Sequence, residues 1–396
     1  MSRARDLADY VSTGVTSTEL DKLDGLTATT DELNLVDGSV SGPLSHRNMV
    51  INGGMEVAQR SVGPVSVSDG SNEGFVTVDR WKINFGSSMG GGVDVSQSNA
   101  PSGSEFSKAL KIEVTTATTP TSAQFFNPTY AIEGQDLQHL QYGTSSAKTM
   151  ALSFSIYTNK AGTYGLALRN YDQGRVIGKT FTVDSANTWQ RITVVFEGDT
   201  AQAIDNDNGN GLHIWFGFGV GASRMSGSST WSNYSTAVYP GSSTTNFFDT
   251  VGNILYLTGV QLELGSVATP FEHRSYGDEL QRCQRYYHEF LDTNDSSEDI
   301  GICSVYRDYQ LELIIRFPVE MRAVPTKTAV GGTNYFTAYG NLSNDSFDNF
   351  SNTGNLSKKG TLVFTSSSDN FSGTQGQARR VRKNNSGASI AFDAEL

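Results

Sequence analysis

Cysteine, charge and long apolar stretches are all scarce in this chain of 396 residues. The two cysteines, Cys283 and Cys303, exclude a disulfide-rich scaffold and a four-cysteine zinc site. One bridge between them is geometrically possible, but free thiols are expected because nothing in the sequence indicates an oxidising compartment. The longest apolar stretches, near residues 254–264 and 311–319, are far short of the ~20 residues that span a bilayer, so no membrane insertion is predicted.

Basic residues are also in the minority, with 29 Lys and Arg against 41 Asp and Glu and a net charge of −12. This negative surplus repels polyanions and excludes nucleic acid as the main partner. The sequence has no Gly-x-Ser-x-Gly elbow, Walker loop or His-Glu-x-x-His motif. Its five histidines have no metal-ligand spacing. We therefore predict a protein without enzymatic activity, cofactor or resident metal.

Glycine is plentiful, with 41 residues among long Ser, Thr and Asn tracts, which predicts a mainly β fold of short strands and tight turns. Between residues 46 and 274 apolar residues recur at every second position, as at residues 148–157. Strands with turn sequences between them predict an antiparallel β-sandwich, or jelly roll. The residues expected in its core include Trp81, Trp189, Trp215 and His213.

Residues 1–45 contain a 13-residue repeat, in which residues 16–25 recur as residues 29–38. Each copy has a Thr three residues before a Glu and ends in Asp-Gly, which predicts a short helix with a capping box. Because such short helices are marginal alone, three chains around one axis would supply the surface they need. The alternative is a disordered acidic leader. The predicted trimer contacts are Leu20, Leu23, Leu33 and Val36.

A linking helix is predicted at residues 275–292, because apolar residues recur with helical spacing between residues 276 and 291. Its apolar residues Leu280 and Tyr287 are expected to pack on symmetry mates. The period-two pattern then returns, so residues 293–396 are predicted to form a second, smaller β domain that carries recognition loops.

Several local sequences resemble the tail-fibre or receptor-binding proteins of tailed bacteriophages. They are the 13-residue repeat and residues 48–60, 77–81, 259–272, 275–287, 317–325 and 393–396. The resemblance implies a jelly roll similar to carbohydrate-binding modules, within a homotrimeric, non-catalytic appendage of the virion. It implies that residues 1–45 contact other tail or baseplate proteins, and that the protein is made in the host cytoplasm.

For such an adhesin, exposed aromatic rings would stack on sugar rings, and Asn, Asp, Gln and Arg would bind the hydroxyls. Host-surface polysaccharide or lipopolysaccharide is the expected partner. The candidate binding residues are Tyr335, Phe336, Tyr339, Phe347, Phe350, Trp231 and Tyr234, with Arg379, Arg380 and Arg382 from the one dense basic cluster. Alternatively, the rings pin loops or are buried between subunits, and the basic cluster is solvated or pairs with acidic neighbours.

Two further features stay open from sequence. The segment from Asp205 to Gly211 resembles a calcium loop, but Phe216 stands where an EF-hand needs Glu, so a polar turn is the alternative. Spacing does not separate a glycosidase pair at Glu133 and Asp136 from surface charge. The expected function is multivalent adsorption to host glycan. The alternatives are an architectural baseplate, collar or head fibre and a polysaccharide depolymerase.

Overall fold

The computed structural model describes residues 46–86, 88–242, 244–293, 296–340 and 343–396. The N-terminal repeat lies outside these residues, and the predicted trimer contacts Leu20, Leu23, Leu33 and Val36 lie there with it. Within the described part of the chain, no helix is both long and apolar enough to cross a membrane.

The first part of the described chain is built from two antiparallel sheets. Strands β1 to β14 are Val65–Ser68, Gly74–Phe75, Trp81–Gly86, Gly92–Asn99, Lys108–Thr116, Phe125–Glu133, Met150–Thr158, Gly162–Asn170, Arg175–Val183, Gln190–Phe196, Asn210–Gly217, Gly219–Val220, Ser232–Asn233 and Ile254–Leu264. Short 3-10 helices span Gly134–Leu140, Ala222–Arg224 and Phe247–Asp249. The first sheet has the order β1-β4-β5-β14-β7-β10, and the second has the order β13-β9-β8-β11-β6-β3-β2, with β12 beside β6.

These sheets face each other across one apolar core, as the alternating pattern predicts. In β11, Leu212, Ile214 and Phe216 are fully buried and point into this core. The Trp81 ring is 1% exposed and contacts Phe216 at 6.1 Å between ring centroids. Because successive side chains of a strand point to opposite faces, this fixes which residues of β11 face outwards. The predicted β-sandwich is confirmed.

An α-helix, α1 (Tyr276–Gln284), follows the first sandwich. It begins after Ser275, whose Oγ accepts a hydrogen bond from the Asp278 amide at 3.2 Å. The prediction that the helix continues to residue 291 is wrong, because Tyr287–Leu291 forms strand β15. Aromatic residues such as Tyr287 favour strands. Tyr287 and Leu291 are both buried and four positions apart, a spacing that puts them on one face of a strand as well as of a helix.

The remaining residues form the second, smaller β-sandwich, and mainly β structure is confirmed here too. Strands β16 to β24 are Glu298–Arg307, Gln310–Arg316, Thr326–Val330, Phe336–Tyr339, Asn344–Phe347, Asn352–Ser357, Gly360–Phe364, Ala378–Lys383 and Ser389–Asp393. The small sheet has the order β15-β24-β18, and the large sheet has the order β20-β19-β23-β16-β17-β22-β21. An apolar core separate from that of the first sandwich holds them together.

Buried charges join the two sandwiches. The Arg80 guanidinium pairs with the Glu395 carboxylate, and their side chains are 1% and 3% exposed. Arg60 contacts Glu395 at 3.3 Å and Asp393 at 2.8 Å. Its guanidinium lies 3.7 Å from the centroid of the Tyr287 ring. Tyr287 is thus buried within its own chain, and its predicted contact with symmetry mates is wrong.

Leu280, the other helix residue predicted to contact symmetry mates, is half-buried. Its role between chains stays a prediction. Both cysteines are free and buried, as expected. Burial raises the pKa of the Cys303 thiol to about 12, so this thiol is inert at neutral pH.

Candidate functional site

The outer face of the second sheet of the first sandwich carries an unusual set of side chains. Since Leu212, Ile214 and Phe216 point into the core, His213 and Trp215 of β11 point away from it. The neighbouring strand β8 places Arg169 beside them, because Arg169 pairs with His213 in the ladder. Polar and aromatic residues therefore lie together on the face of the sheet that points away from the apolar core.

The chain between β12 and β14 covers part of this outer face. Tyr239 from this segment lies over Gly165 and Gly217, and a Cβ on Gly165 would stand 2.5 Å from its ring. Glycine on these two strands therefore makes room for the covering segment. Arg224 fastens the segment, since its Nε donates to the Ala123 carbonyl at 3.0 Å and its Nη1 reaches the Tyr234 hydroxyl at 3.4 Å.

The uncovered part of the face is a cavity of about 300 Å³, which we call the outer groove. Its lining residues are Phe75, Lys82, Asn84, Phe85, Phe125, Asn127, Thr129, Ala131, Arg169, Tyr171, Asn210, His213, Trp215, Arg224, Tyr234 and Leu396. Strands β3, β6, β8 and β11 supply the floor, and the covering segment supplies one wall. Aromatic rings alternate here with amide, imidazole and guanidinium groups.

Arg169 is the centre of the aromatic cluster in the outer groove. Its guanidinium carbon lies 4.1 Å from the ring centroid of Tyr234, 4.5 Å from that of Tyr171 and 5.3 Å from that of Trp215. The Tyr171 ring stacks on His213 at 4.7 Å with an interplanar angle of 21°. These contacts fix the guanidinium and the rings in place before any ligand arrives.

Three polar atoms of the groove residues have no hydrogen-bond partner among the described residues. They are Arg169 Nε, His213 Nε2 and Asn210 Oδ1, all buried. Burial, with the nearby Arg169 charge, lowers the pKa of His213 to about 3, so the imidazole is neutral at physiological pH. Buried polar atoms are nearly always paired in proteins, and such a concentration in one cavity is typical of a binding site.

His213 and Trp215 lie outside the core between the two sheets, where the sequence predicts them, although Trp215 is partly buried against a small apolar cluster beneath the covering segment. The alternation within β11 predicts their position correctly. Leu212, Ile214 and Phe216 occupy every second position and face the core, so the residues between them face outwards. Arg169, Tyr171 and Asn210 were not predicted at all. Nothing local identifies them, because their proximity depends on the pairing of β8 with β11.

Of the two residues predicted in the covering segment, Tyr234 lines the outer groove, whereas Trp231 does not. Trp231 is half-buried and its Nε1 donates to the Glu197 carbonyl at 2.6 Å. Its ring packs edge-on against Tyr142 at 5.6 Å. Trp231 therefore pins the segment to the sandwich, which is the alternative weighed from sequence.

The predicted aromatic residues of the second sandwich are mostly core residues. Phe336, Phe347 and Phe350 are fully buried, and the first two stack at 5.2 Å. Their predicted contact with a ligand is wrong, because β19 and β20 pair as a hairpin whose apolar side faces the core. Tyr335 is half-buried against the same core.

The basic cluster is divided between the two faces of β23. Arg379 is buried and donates to the Ser343 carbonyl at 2.8 Å, so its predicted role in binding is wrong. Arg380 and Arg382 are partly exposed and lie 3.5 and 3.7 Å from Asp299. Both also flank the Tyr339 ring. These three residues remain accessible together, and Asp299 compensates one of the two positive charges.

The segment from Asp205 to Gly211 serves the contact between the sandwiches. Asn208 Nδ2 donates to the Arg322 carbonyl at 2.6 Å, and Arg322 Nη1 donates back to the Asn208 carbonyl at 2.8 Å. Asp207 Oδ1 accepts the Gly209 amide at 2.8 Å. The part of the chain that the structure describes contains no group of three or more His, Cys, Asp or Glu placed to hold a metal.

The carboxylate of Glu133 is held by two neighbouring side chains, those of Arg285 and Tyr286. It accepts hydrogen bonds from Arg285 Nε at 2.8 Å, Arg285 Nη2 at 2.7 Å and the Tyr286 hydroxyl at 2.6 Å. Although burial opposes the change, these hydrogen bonds lower the pKa of Glu133. Glu133 is thus an anion held in place by Arg285 and Tyr286.

A larger cavity of about 590 Å³ lies beside α1, but it is less suited to a ligand. None of the described residues that line it is Phe, Tyr or Trp. Of its three arginines, Arg274 lies 3.1 Å from Glu279 and 3.4 Å from Glu272, and Arg285 lies 2.7 Å from Glu133. Two of its three arginines are therefore already paired with carboxylates inside the chain.

No family model and no curated protein matches this sequence. Among solved structures, an enzymatically active domain of bacteriophage CBA120 tailspike protein 4 is similar over 55% of this chain and 21% of its own, with 15% identity and a TM-score of 0.29. This chain thus spans about a fifth of that tailspike chain. A CBM4 structure is similar over 54% of this chain and 97% of its own, with 16% identity and a TM-score of 0.29. TmCBM61, solved with β-1,4-galactotriose, is similar over 55% and 99%, with 11% identity and a TM-score of 0.27. TM-scores this low assign neither family nor function.

Proposed function

We propose that this chain is a glycan-binding protein and that the outer groove is its binding site. The observation that carries the proposal is the arrangement around Arg169, where Tyr171, Trp215 and Tyr234 offer rings beside buried, unpaired polar atoms. Sugars present both an apolar ring face and hydroxyl groups. Aromatic rings and a few polar groups that are already fixed in place suit sugars, because little side-chain entropy is lost when the ligand binds.

Binding without cleavage is the form of this function that we propose. Most glycoside hydrolases use two carboxyl groups about 5–10 Å apart on either side of the scissile bond. No Asp or Glu side chain is among the described residues that line the outer groove. The carboxylate pair considered from sequence is Glu133 and Asp136, and Glu133 is held by Arg285 and Tyr286.

At the level of the particle, we propose that the chain is a trimeric tail fibre that attaches a bacteriophage to host-surface polysaccharide or lipopolysaccharide. The sequence resemblance supports this proposal, with residues 1–45 assigned to attachment within the virion. Three grooves per trimer would multiply a weak individual affinity through effective concentration, without any new contact.

Purified full-length protein should bind host-envelope polysaccharide in a saturable manner and release no reducing sugar. The variant Trp215→Ala should bind at least about tenfold more weakly, because stacking surface worth about 1.4 kcal/mol or more is removed. The matched control is Trp189→Ala. Trp189 packs on Tyr157 at 5.7 Å outside the outer groove, so binding should be unchanged.

Three other results would contradict parts of this proposal. Sugar release that depends on one carboxylate would make the protein a depolymerase. The absence of any binding to host envelope by the intact trimer would favour an architectural fibre. Equal loss of binding in Trp189→Ala and Trp215→Ala would remove the outer groove as the binding site.

A further inference from the structure

The charge of the outer groove is opposite to that of the chain as a whole. Lys82, Arg169 and Arg224 line it, and no Asp or Glu side chain among the described lining residues balances them. The full chain carries a net charge of −12. A cluster of three cationic side chains with no Asp or Glu side chain among the described lining residues is therefore a local feature, which background composition does not explain.

The three cations are not equally available to a ligand. Arg224 is buried and already donates to Ala123 and reaches Tyr234. Lys82 lies 6.0 Å from the Phe75 ring centroid at the edge of the groove. Arg169 alone stands at the centre, held by aromatic rings and not by hydrogen bonds.

Arg169 lacks the partner that a partly buried guanidinium normally has. Its Nε has no hydrogen-bond partner among the described residues, and its guanidinium contacts three aromatic rings. Contact with ring faces stabilises a cation but leaves its N–H donors unsatisfied. Guanidinium donors form a planar fork that matches a carboxylate, sulfate or phosphate group.

We propose that the outer groove selects an acidic saccharide, whose anionic group pairs with the Arg169 guanidinium while its sugar ring stacks on Trp215 or Tyr234. This inference rests on the proposed glycan-binding function and names the class of sugar. The neighbouring His213 is neutral and donates or accepts a hydrogen bond without adding charge. The charged side chains that meet the ligand are therefore those of arginine and lysine.

The test uses the full chain on an array in which each acidic oligosaccharide is printed beside its neutral counterpart, either carboxyl-reduced or desulfated. The retained glycans should be the acidic members, bound about tenfold or more tightly than their counterparts, as expected for a hydrogen bond to a charged group. The array carries both carboxylated and sulfated oligosaccharides, and comparing their binding shows which of the two anionic groups the outer groove prefers.

The variant Arg169→Gln should lose about tenfold or more in affinity for the acidic glycan and less than about threefold for its neutral counterpart. The matched control Arg316→Gln changes an exposed arginine of the second sandwich and should alter neither. Since removing Arg169 could disturb the ring cluster, the unmodified protein gives a second measurement. Its affinity for the acidic glycan should fall as salt rises, and its affinity for the neutral one should not.

The outcomes separate this inference from the function on which it rests. Equal or tighter binding of the neutral counterparts, lost in Trp215→Ala, would overturn acidic selection and leave the glycan groove standing. Acidic binding that is insensitive to Arg169→Gln would also overturn the inference. If no glycan on the array is bound, both the inference and the glycan-binding function fail.

Discussion

The contact between the two sandwiches gives the sharpest stability prediction. Glu395 neutralises Arg80 where both side chains are almost completely buried, at 3% and 1% exposure. Arg80 has one other hydrogen bond, from its Nη2 to the Ala131 carbonyl at 2.6 Å, and lies 3.4 Å from the Tyr286 ring centroid. Although burial opposes it, the Glu395 carboxylate holds the pKa of Arg80 above its usual range. A guanidinium is not deprotonated in proteins, so Arg80 keeps its charge when its partner is removed.

The variant Glu395→Gln should lower the free energy of unfolding by about 3–5 kcal/mol, the cost of leaving one member of a buried ion pair without its partner. Arg60 also loses its contact with the Glu395 carboxylate, but it adds little to the effect because it keeps Asp393 at 2.8 Å. The assay is equilibrium unfolding in urea, with intrinsic fluorescence as the signal. The double variant Arg80→Met with Glu395→Leu should recover most of the loss, since an apolar pair of similar volume replaces the charges.

The control for this experiment is Glu320→Gln. Glu320 and Lys359 form an ion pair at 3.6 Å whose side chains are 54% and 72% exposed. Exposed pairs contribute about 0–1 kcal/mol, so this variant should unfold almost as the parent does. A loss in Glu395→Gln no larger than in the control would refute the buried contact between the sandwiches.

Three further predictions follow from burial and charge. Phe347→Ala should lower the free energy of unfolding by about 3–5 kcal/mol, because the ring is fully buried, and should leave glycan affinity unchanged; weaker binding in a folded variant would restore the ring as a ligand contact. Because burial lowers the pKa of His213 to about 3, protonation favours the unfolded chain. The parent should therefore lose about 1.4 kcal/mol per pH unit relative to His213→Gln as pH falls below 6, and parallel stability profiles in urea would contradict this. Because burial raises the pKa of Glu289 to about 8, the stability advantage of Glu289→Gln should grow as pH rises from about 5 to 8; an advantage independent of pH by the same assay would show that Glu289 is solvated.

Much of the fold could be predicted from sequence because strand alternation is a local signal. Leu212, Ile214 and Phe216 mark the inward face of β11 without any knowledge of its neighbours. The end of α1 could not be predicted in this way. Tyr287 and Leu291 satisfy either period, and only pairing with β24, some 100 residues away, selects the strand.

The binding site was harder to predict from the sequence, because its residues are far apart along the chain. Aromatic, Asn-rich composition selected Phe336 and Phe347, but the ladder of β19 with β20 turns them inwards. The outer groove needs Lys82, Arg169 and Trp215 from three strands, with a wall from a covering segment. No short segment contains all of these residues. The alternation of β11 alone predicts only that Trp215 faces outwards.

Hydroxyl-radical footprinting of the aromatic residues, with and without a bound host-envelope oligosaccharide, tests the central claim most directly. The account predicts that the glycan protects Tyr171, Trp215 and Tyr234 from oxidation. Tyr306 and Tyr309 of the second sandwich, 52% and 40% exposed, should be oxidised equally in both samples. Protection of Tyr306 and Tyr309 with no change at Trp215 would contradict a binding site in the outer groove.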